Sequence, residues 1–239
     1  MFEQRDLRQS SYLLNPASIG AKTTFLAKVF NWMALGLATT AALAFTVAGS
    51  ASTQQLIFGN KLIFYGLILG EVGLVLYLSA RIEKISAATA TALFLIYSAL
   101  NGVTMAAVLL MYTAASVATT FTVAGGMFAA MAIYGTVTKK DLTGLGSFMF
   151  MGLIGIILAS LVNMFMKSPA IEWTISVIGV IVFTGLTAYD IQKISRFGGN
   201  VMTSDKASIR RGAIMGALSL YLDFINLFLS LLRLFGDRR

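Results

Sequence analysis

Long apolar stretches alternate along this chain with short polar segments that carry almost all of its charge. Seven apolar runs, over 25–48, 61–80, 87–110, 114–137, 144–166, 171–192 and 212–235, reach the about 20 residues that a helix needs to cross a bilayer. The two prolines, Pro16 and Pro169, fall before the first run and in a turn. No run is therefore interrupted, and the broken helices of many transporters are not signalled. The pattern predicts an all-α integral membrane protein with seven transmembrane helices. Residues 1–24 are expected to form a tail, 25–235 the transmembrane domain and 236–239 a short carboxyl-terminal tail.

Composition agrees. Of the 239 residues, 57% are hydrophobic and only 12% charged, with a mean hydropathy of +0.82. A soluble domain carries about 25% charge, so this chain lacks the polar side chains to cover a water-facing surface. Its net charge of +8 sits in loops rather than in a basic stripe interleaved with aromatics, which argues against nucleic acid. The placement of that charge orients the chain instead. Thirteen lysines and arginines, from Arg5, Arg8, Lys22 and Lys28 through Arg81, Lys84, Lys139 and Lys140 to the group between Lys193 and Arg211, lie on the amino-terminal side. Five (Lys61, Lys167, Arg233, Arg238 and Arg239) lie on the other. The positive-inside rule puts the amino end in the cytoplasm and, with seven spans, the carboxyl end outside. A re-entrant pair of short helices would leave both ends inside. The polar first 21 residues lack the form of a cleaved signal and are expected to remain as a cytoplasmic tail.

The chain has neither cysteine nor histidine, which removes thiolate chemistry and the usual general base and proton switch. Of its ten acids, seven lie in tails, loops or at helix ends. Glu71, Asp190 and Asp223 lie inside apolar runs, where each costs about 2.5–3.5 kcal/mol to insert. That cost points to a function. In the seventh run Gly212, Gly216, Ser219, Asp223, Asn226 and Ser230 follow at alternating spacings of four and three. They make one small, polar stripe along a helix, so this helix should be central, with Asp223 in the middle of its stripe. A rise of about 1.5 Å per residue puts Asp190 and Asp223 about 10 Å apart in depth, with Arg81 at about the level of Asp190 and able to pair with it. Close helix packing is expected at Gly66 and Gly70 in the second run and at Gly212 and Gly216 in the seventh.

The segments Thr187-Ala188-Tyr189-Asp190-Ile191-Gln192 and Gly216 to Phe228 (GALSLYLDFINLF) resemble the Bax inhibitor-1 family, and the likeness extends over nearly the whole chain. The resemblance is to a bacterial inner-membrane member. It implies six helices surrounding a central seventh and a pH-sensitive calcium leak gated by a membrane-buried pair of aspartates, here Asp190 and Asp223. It further implies a latch in which Arg81 bonds the first aspartate, and an ion path past Glu71; Ser219 and Asn226 are further candidates for that path from the stripe. Two carboxylates in a poorly hydrated interior do not both ionise cheaply and titrate as a pair. Sharing a proton holds their helices together, and losing it leaves two charges that repel or recruit cations. So few oxygens suit a transit site for calcium rather than a tight store. No cofactor is expected beyond transported calcium and protons.

Two rival readings differ in class. An intramembrane aspartyl protease would also use aspartates in late helices, one in a Tyr-Asp pair such as Tyr189-Asp190. Asp223, however, follows Tyr-Leu rather than Gly-x-Gly, and the Pro-Ala-Leu motif is absent. A regulatory protein that binds a membrane protease or survival factor without conducting would use its loops and tails and keep the aspartates as internal glue. The expectation is therefore a non-enzymatic membrane protein whose partners are lipid, calcium, protons and possible membrane proteins.

Overall fold

The computed structural model describes residues 16–201 and 205–239. Most of the tail expected at the amino end thus lies outside the described residues. Eight helices occur among those residues: α1 (Pro16–Ala48), α2 (Ala51–Phe58), α3 (Lys61–Arg81), α4 (Ala87–Met111), α5 (Ala114–Val137), α6 (Thr143–Met166), α7 (Pro169–Val201) and α8 (Lys206–Phe235). All but α2 are long and apolar enough to cross a membrane, as the seven runs predict. The differences lie at the ends. Helix α1 begins inside the stretch read as tail, α7 continues past 192, and α8 starts six residues before 212. At about 1.5 Å per residue these helices exceed the roughly 30 Å of hydrocarbon, so their polar ends project beyond it on the face that carries most of the bases. That face is called the basic face below. The short α2 escapes a length criterion because its eight residues (ASTQQLIF) fall far short of the about 20 that a span needs.

Local chemistry places the breaks. Ser50, Asn60, Ser86, Thr113 and Asp205 each accept a bond from a backbone N–H in the first turn of the helix that follows, which satisfies donors the helix leaves free. Both prolines occupy the first helical position, where the missing N–H costs nothing. Before Pro169, Lys167 ends α6 in the left-handed region (φ 50°), with its N–H bonded to the Asn163 carbonyl at 2.7 Å. The Asn163 side chain then accepts the Ser168 N–H at 2.9 Å, closing the turn.

Helix α8 is the core. Of its most apolar stretch 72% is buried within the protein, against 6% for α3. It packs on α1, α4, α5 and α7, while α3 leans mainly on α4 and α6 on α7. The central last helix read from its stripe is therefore observed, with α3 and α6 at the periphery of the bundle. Small residues set the closest approaches. A Cβ on Gly135 of α5 would collide with the Ala188 carbonyl of α7, so backbone meets backbone there. Gly212 lies against the Phe197 ring, and Gly216 against Val29 and Ile194, as their spacing predicts. Gly66 and Gly70 have nothing within 4 Å. Their helix turns that face to lipid, and the expected contact is not made.

Candidate functional site

Helices α7 and α8 run antiparallel, and side chains in a helix lean toward its amino end. Asp190 on α7 and Asp223 on α8 therefore lean toward one another in depth. Asp190 and Ser219 line one cavity, which places Asp190 near the level of Ser219. Asp223 follows four residues later, about 6 Å along the helix, closer than the crude depth estimate. The two acids interact electrostatically. Asp223 is only 6% exposed, and its Oδ2 is buried without a hydrogen-bond partner. A buried, unpaired carboxylate oxygen is costly and calls for an explanation.

A cavity of about 580 Å³ enters from the basic face and ends at Asp190 and Ser219, with Lys193, Arg211 and Glu83 nearer its mouth. Asn226, one turn beyond Asp223, lies instead on a separate cleft of about 410 Å³ in the opposite half of the protein. Asp223 lines neither. The stripe of α8 is thus divided: Gly212, Gly216 and Ser219 face one cavity, Asn226 and Ser230 the other, and Asp223 stands between them on the helix.

The two motifs that frame these acids are accompanied by likeness over the whole chain. The family model described as "Inhibitor of apoptosis-promoting Bax1" matches residues 22–239. The chain belongs to the Bax inhibitor-1 family. It is 53% identical over 216 residues to the inner membrane protein YbhL of Escherichia coli K12, which covers 90% of this chain and 92% of that one. A protein of Borreliella burgdorferi is 48% identical over 91% of this chain and 94% of its own. A membrane protein of Streptococcus pyogenes serotype M1 is 39% identical over 89% and 92%. The last two carry names that say nothing of an activity.

In this Bax inhibitor-1 family member the other predicted residues are arranged differently. Arg81 ends α3 with an exposed side chain, and neither of the two ion pairs among the described residues includes it. The base that faces Asp190 is Lys193, one turn away on its own helix. Glu71 does not join the aspartates. Its Oε2 accepts from the Asn101 side-chain nitrogen at 3.5 Å, and the Asn101 oxygen accepts from the Tyr221 hydroxyl at 3.0 Å. That hydroxyl also meets the Thr40 hydroxyl at 2.6 Å. Tyr221 precedes Asp223 by two residues, about 200° around the helix, so the Glu71 network occupies the opposite flank of α8. Asn101, Thr40 and Tyr221 were not singled out by sequence. Their polarity is ordinary in an apolar helix, and only the packing of α1, α3, α4 and α8 brings them together. No group of three or more metal-binding acids forms among the described residues.

A second arrangement braces the site. Gln192, two residues from Asp190 and 6% exposed, accepts from the Leu142 N–H at 2.9 Å and donates to the Lys140 carbonyl at 2.8 Å. The loop between α5 and α6 is thereby pinned to α7. On the basic face Asp141 and Arg196 form an ion pair at 3.0 Å. The Thr143 hydroxyl above all, and then its backbone N–H and Arg196, hold the Asp141 carboxyl below its ordinary range.

Proposed function

We propose that this protein is a pH-sensitive cation leak of the bacterial inner membrane, with calcium as its cargo, the amino end in the cytoplasm and Asp190 and Asp223 as the gate. One observation carries the reading: a buried carboxylate with an orphaned oxygen stands about one turn beyond the inner end of a cavity that enters from the basic face. The inner-membrane location rests on the name of the relative YbhL, and the orientation on the distribution of bases.

In this arrangement the path is closed at Asp223. No hydrogen bond joins the two carboxyls in this arrangement, and with one of them protonated the pair carries a single charge. Loss of that proton creates a second charge in a low-dielectric interior, where like charges repel strongly. Separation of the helices, or entry of a cation from the basic-face cavity, relieves it. Lys193 and Arg211 near that cavity's mouth oppose a cation at rest, and Ser219 offers it an oxygen beside Asp190. The arginine latch is not engaged in this arrangement, and Arg81 is left as a partner for a rearranged state. Few protein oxygens meet at the gate, so an ion binds weakly and leaves.

The test is calcium flux into liposomes that contain purified protein, measured across a range of pH. The wild type should conduct more as pH rises through the titration of the pair. Asp190→Asn and Asp223→Asn should each abolish that dependence, since an amide cannot lose the proton. Flux equal to that of empty vesicles at every pH would overturn the leak and favour a protein that acts by binding others.

A further inference from the structure

The cleft of about 410 Å³ beyond Asp223 has the chemistry of a lipid site. Helix α6 packs tightly on α7 in the half nearer the basic face: Gly146 lies under the Tyr189 ring, Met149 reaches Gly185, and Gly152 meets Val182. From Leu153 onward a groove runs along α6, lined by Leu153, Ile156 and Met164 of α6 and by Ile175 and Phe183 of α7, with Asn226 and Ser230 of α8 at its floor. Ile157, Leu161 and Met164 on its α6 wall are exposed, so the groove opens sideways to the surrounding hydrocarbon.

Polar groups are few and lie mainly on the floor, where one Asn226 amide hydrogen goes to the Leu222 carbonyl at 2.8 Å and the Ser230 hydroxyl to the Asn226 carbonyl at 2.7 Å. The second amide hydrogen and the Asn226 oxygen suffice for a water there, but the apolar walls offer water nothing. An empty groove forfeits the dispersion contacts of its walls. An acyl chain supplies them. At the mouth, on the face opposite the basic one, Arg233 lines the groove with an exposed side chain and makes no ion pair or hydrogen bond among the described residues. Lys167, which ends α6, and Trp173, 62% exposed near the start of α7, lie at the same face, at the depth where cations and aromatic rings meet headgroups.

We propose that this groove binds one acyl chain of an anionic phospholipid, with its headgroup phosphate paired to Arg233. The lipid is then a third wall of the protein's far half, covering Asn226 and Ser230 where the polar stripe continues past Asp223. The site stands whether or not the protein conducts.

The test uses full-length protein reconstituted in vesicles of phosphatidylethanolamine with phosphatidylglycerol, then released into detergent for native mass spectrometry. Wild type should keep a bound phosphatidylglycerol and should keep less phosphatidylcholine when that lipid is supplied alone. Arg233→Ala should retain about fivefold less, the loss expected for one basic residue at a headgroup, whereas Lys61→Ala, a cation of the same face away from the groove, should retain as much as wild type. Equal retention by Arg233→Ala, or of both lipids, would overturn the proposal. Because the chain has no cysteine, Ser160→Cys on the groove wall gives a single reporter thiol. It should resist a water-soluble thiol reagent in phosphatidylglycerol vesicles. Rapid labelling means a water-filled groove, and a disulfide-linked dimer means a second copy of the chain; either result removes the lipid from the site.

Discussion

Tyr221 donates to the Asn101 side chain over 3.0 Å, and that bond ties the far flank of the last helix to the Glu71 carboxylate while Asp223 faces the other way. The central helix thus carries two buried acid systems back to back. One lies between cavities, and the other is enclosed among α1, α3, α4 and α8. Asn101 is oriented by the chemistry at its two ends, since its oxygen takes the tyrosine proton and its nitrogen the carboxylate. Tyr221→Phe should destabilise the protein by about 1–2 kcal/mol, the cost of a buried hydrogen-bond partner lost. It should leave the pH dependence of calcium flux where it was. Denaturant unfolding in detergent and the liposome assay measure the two effects separately, and a shifted flux profile would join the two systems.

The glycines divide into those that matter and those that do not. Gly135→Ala places a methyl group against the Ala188 carbonyl, next to the segment that holds Asp190. Overpacking of this kind costs about 1–3 kcal/mol. Gly70→Ala meets open space and should be neutral or stabilising by up to about 1 kcal/mol through helix propensity. Thermal melts of the two variants should move in opposite directions or differ clearly in size.

Gln192 holds the loop between α5 and α6 through both of its polar atoms. Gln192→Ala leaves the Leu142 N–H without a protein partner, and Leu142 is 5% exposed. The expected loss is about 1–3 kcal/mol. Faster hydrogen exchange confined to residues 138–146 is the signature to look for, and uniform exchange would mean that the loop is held by something else.

Asp141 gives a pH signature outside the membrane. Its carboxyl is held below the ordinary value of 3.8, chiefly by the Thr143 hydroxyl. A depressed folded value contributes stability that is present above the unfolded value and is lost as pH falls through the folded one. Below about pH 4, the melting temperature of wild type should therefore drop faster than that of Asp141→Asn, with parallel curves near neutrality. Curves that stay parallel into acid would remove the interaction.

The carboxyl end is stitched to the bundle. Asp237 and Arg239 exchange backbone bonds with Thr113 and Met111 at 3.0 and 2.9 Å, and Arg238 pairs with Glu172 at 2.9 Å. Both side chains of that pair are about half exposed, so Glu172→Gln should cost under about 1 kcal/mol, less in high salt. Removal of residues 237–239 also strips the Thr113 N–H and the Met111 carbonyl of their partners and should lower the melting temperature further. Melts at low and high salt distinguish the two losses.

The number of spans, their approximate limits, the central place of α8 and the position of Asp190 and Asp223 within apolar helices were legible in the chain itself. The cause is the bilayer. Hydrocarbon demands long apolar helices and makes every buried charge expensive, so both leave marks in one dimension: run length, and an acid where none should be. The alternation of small and polar residues on α8 reports its burial in the same way. What decided the rest was contact between helices far apart in sequence. Nothing in the run around Glu71 says that it meets Asn101 rather than Asp190, that Arg81 stays exposed, or that Gly66 faces lipid while Gly216 meets Val29 and Ile194. Those outcomes depend on the rotation and tilt of each helix against its neighbours. Packing sets these through shape summed over many weak contacts, and no single residue type records such a sum.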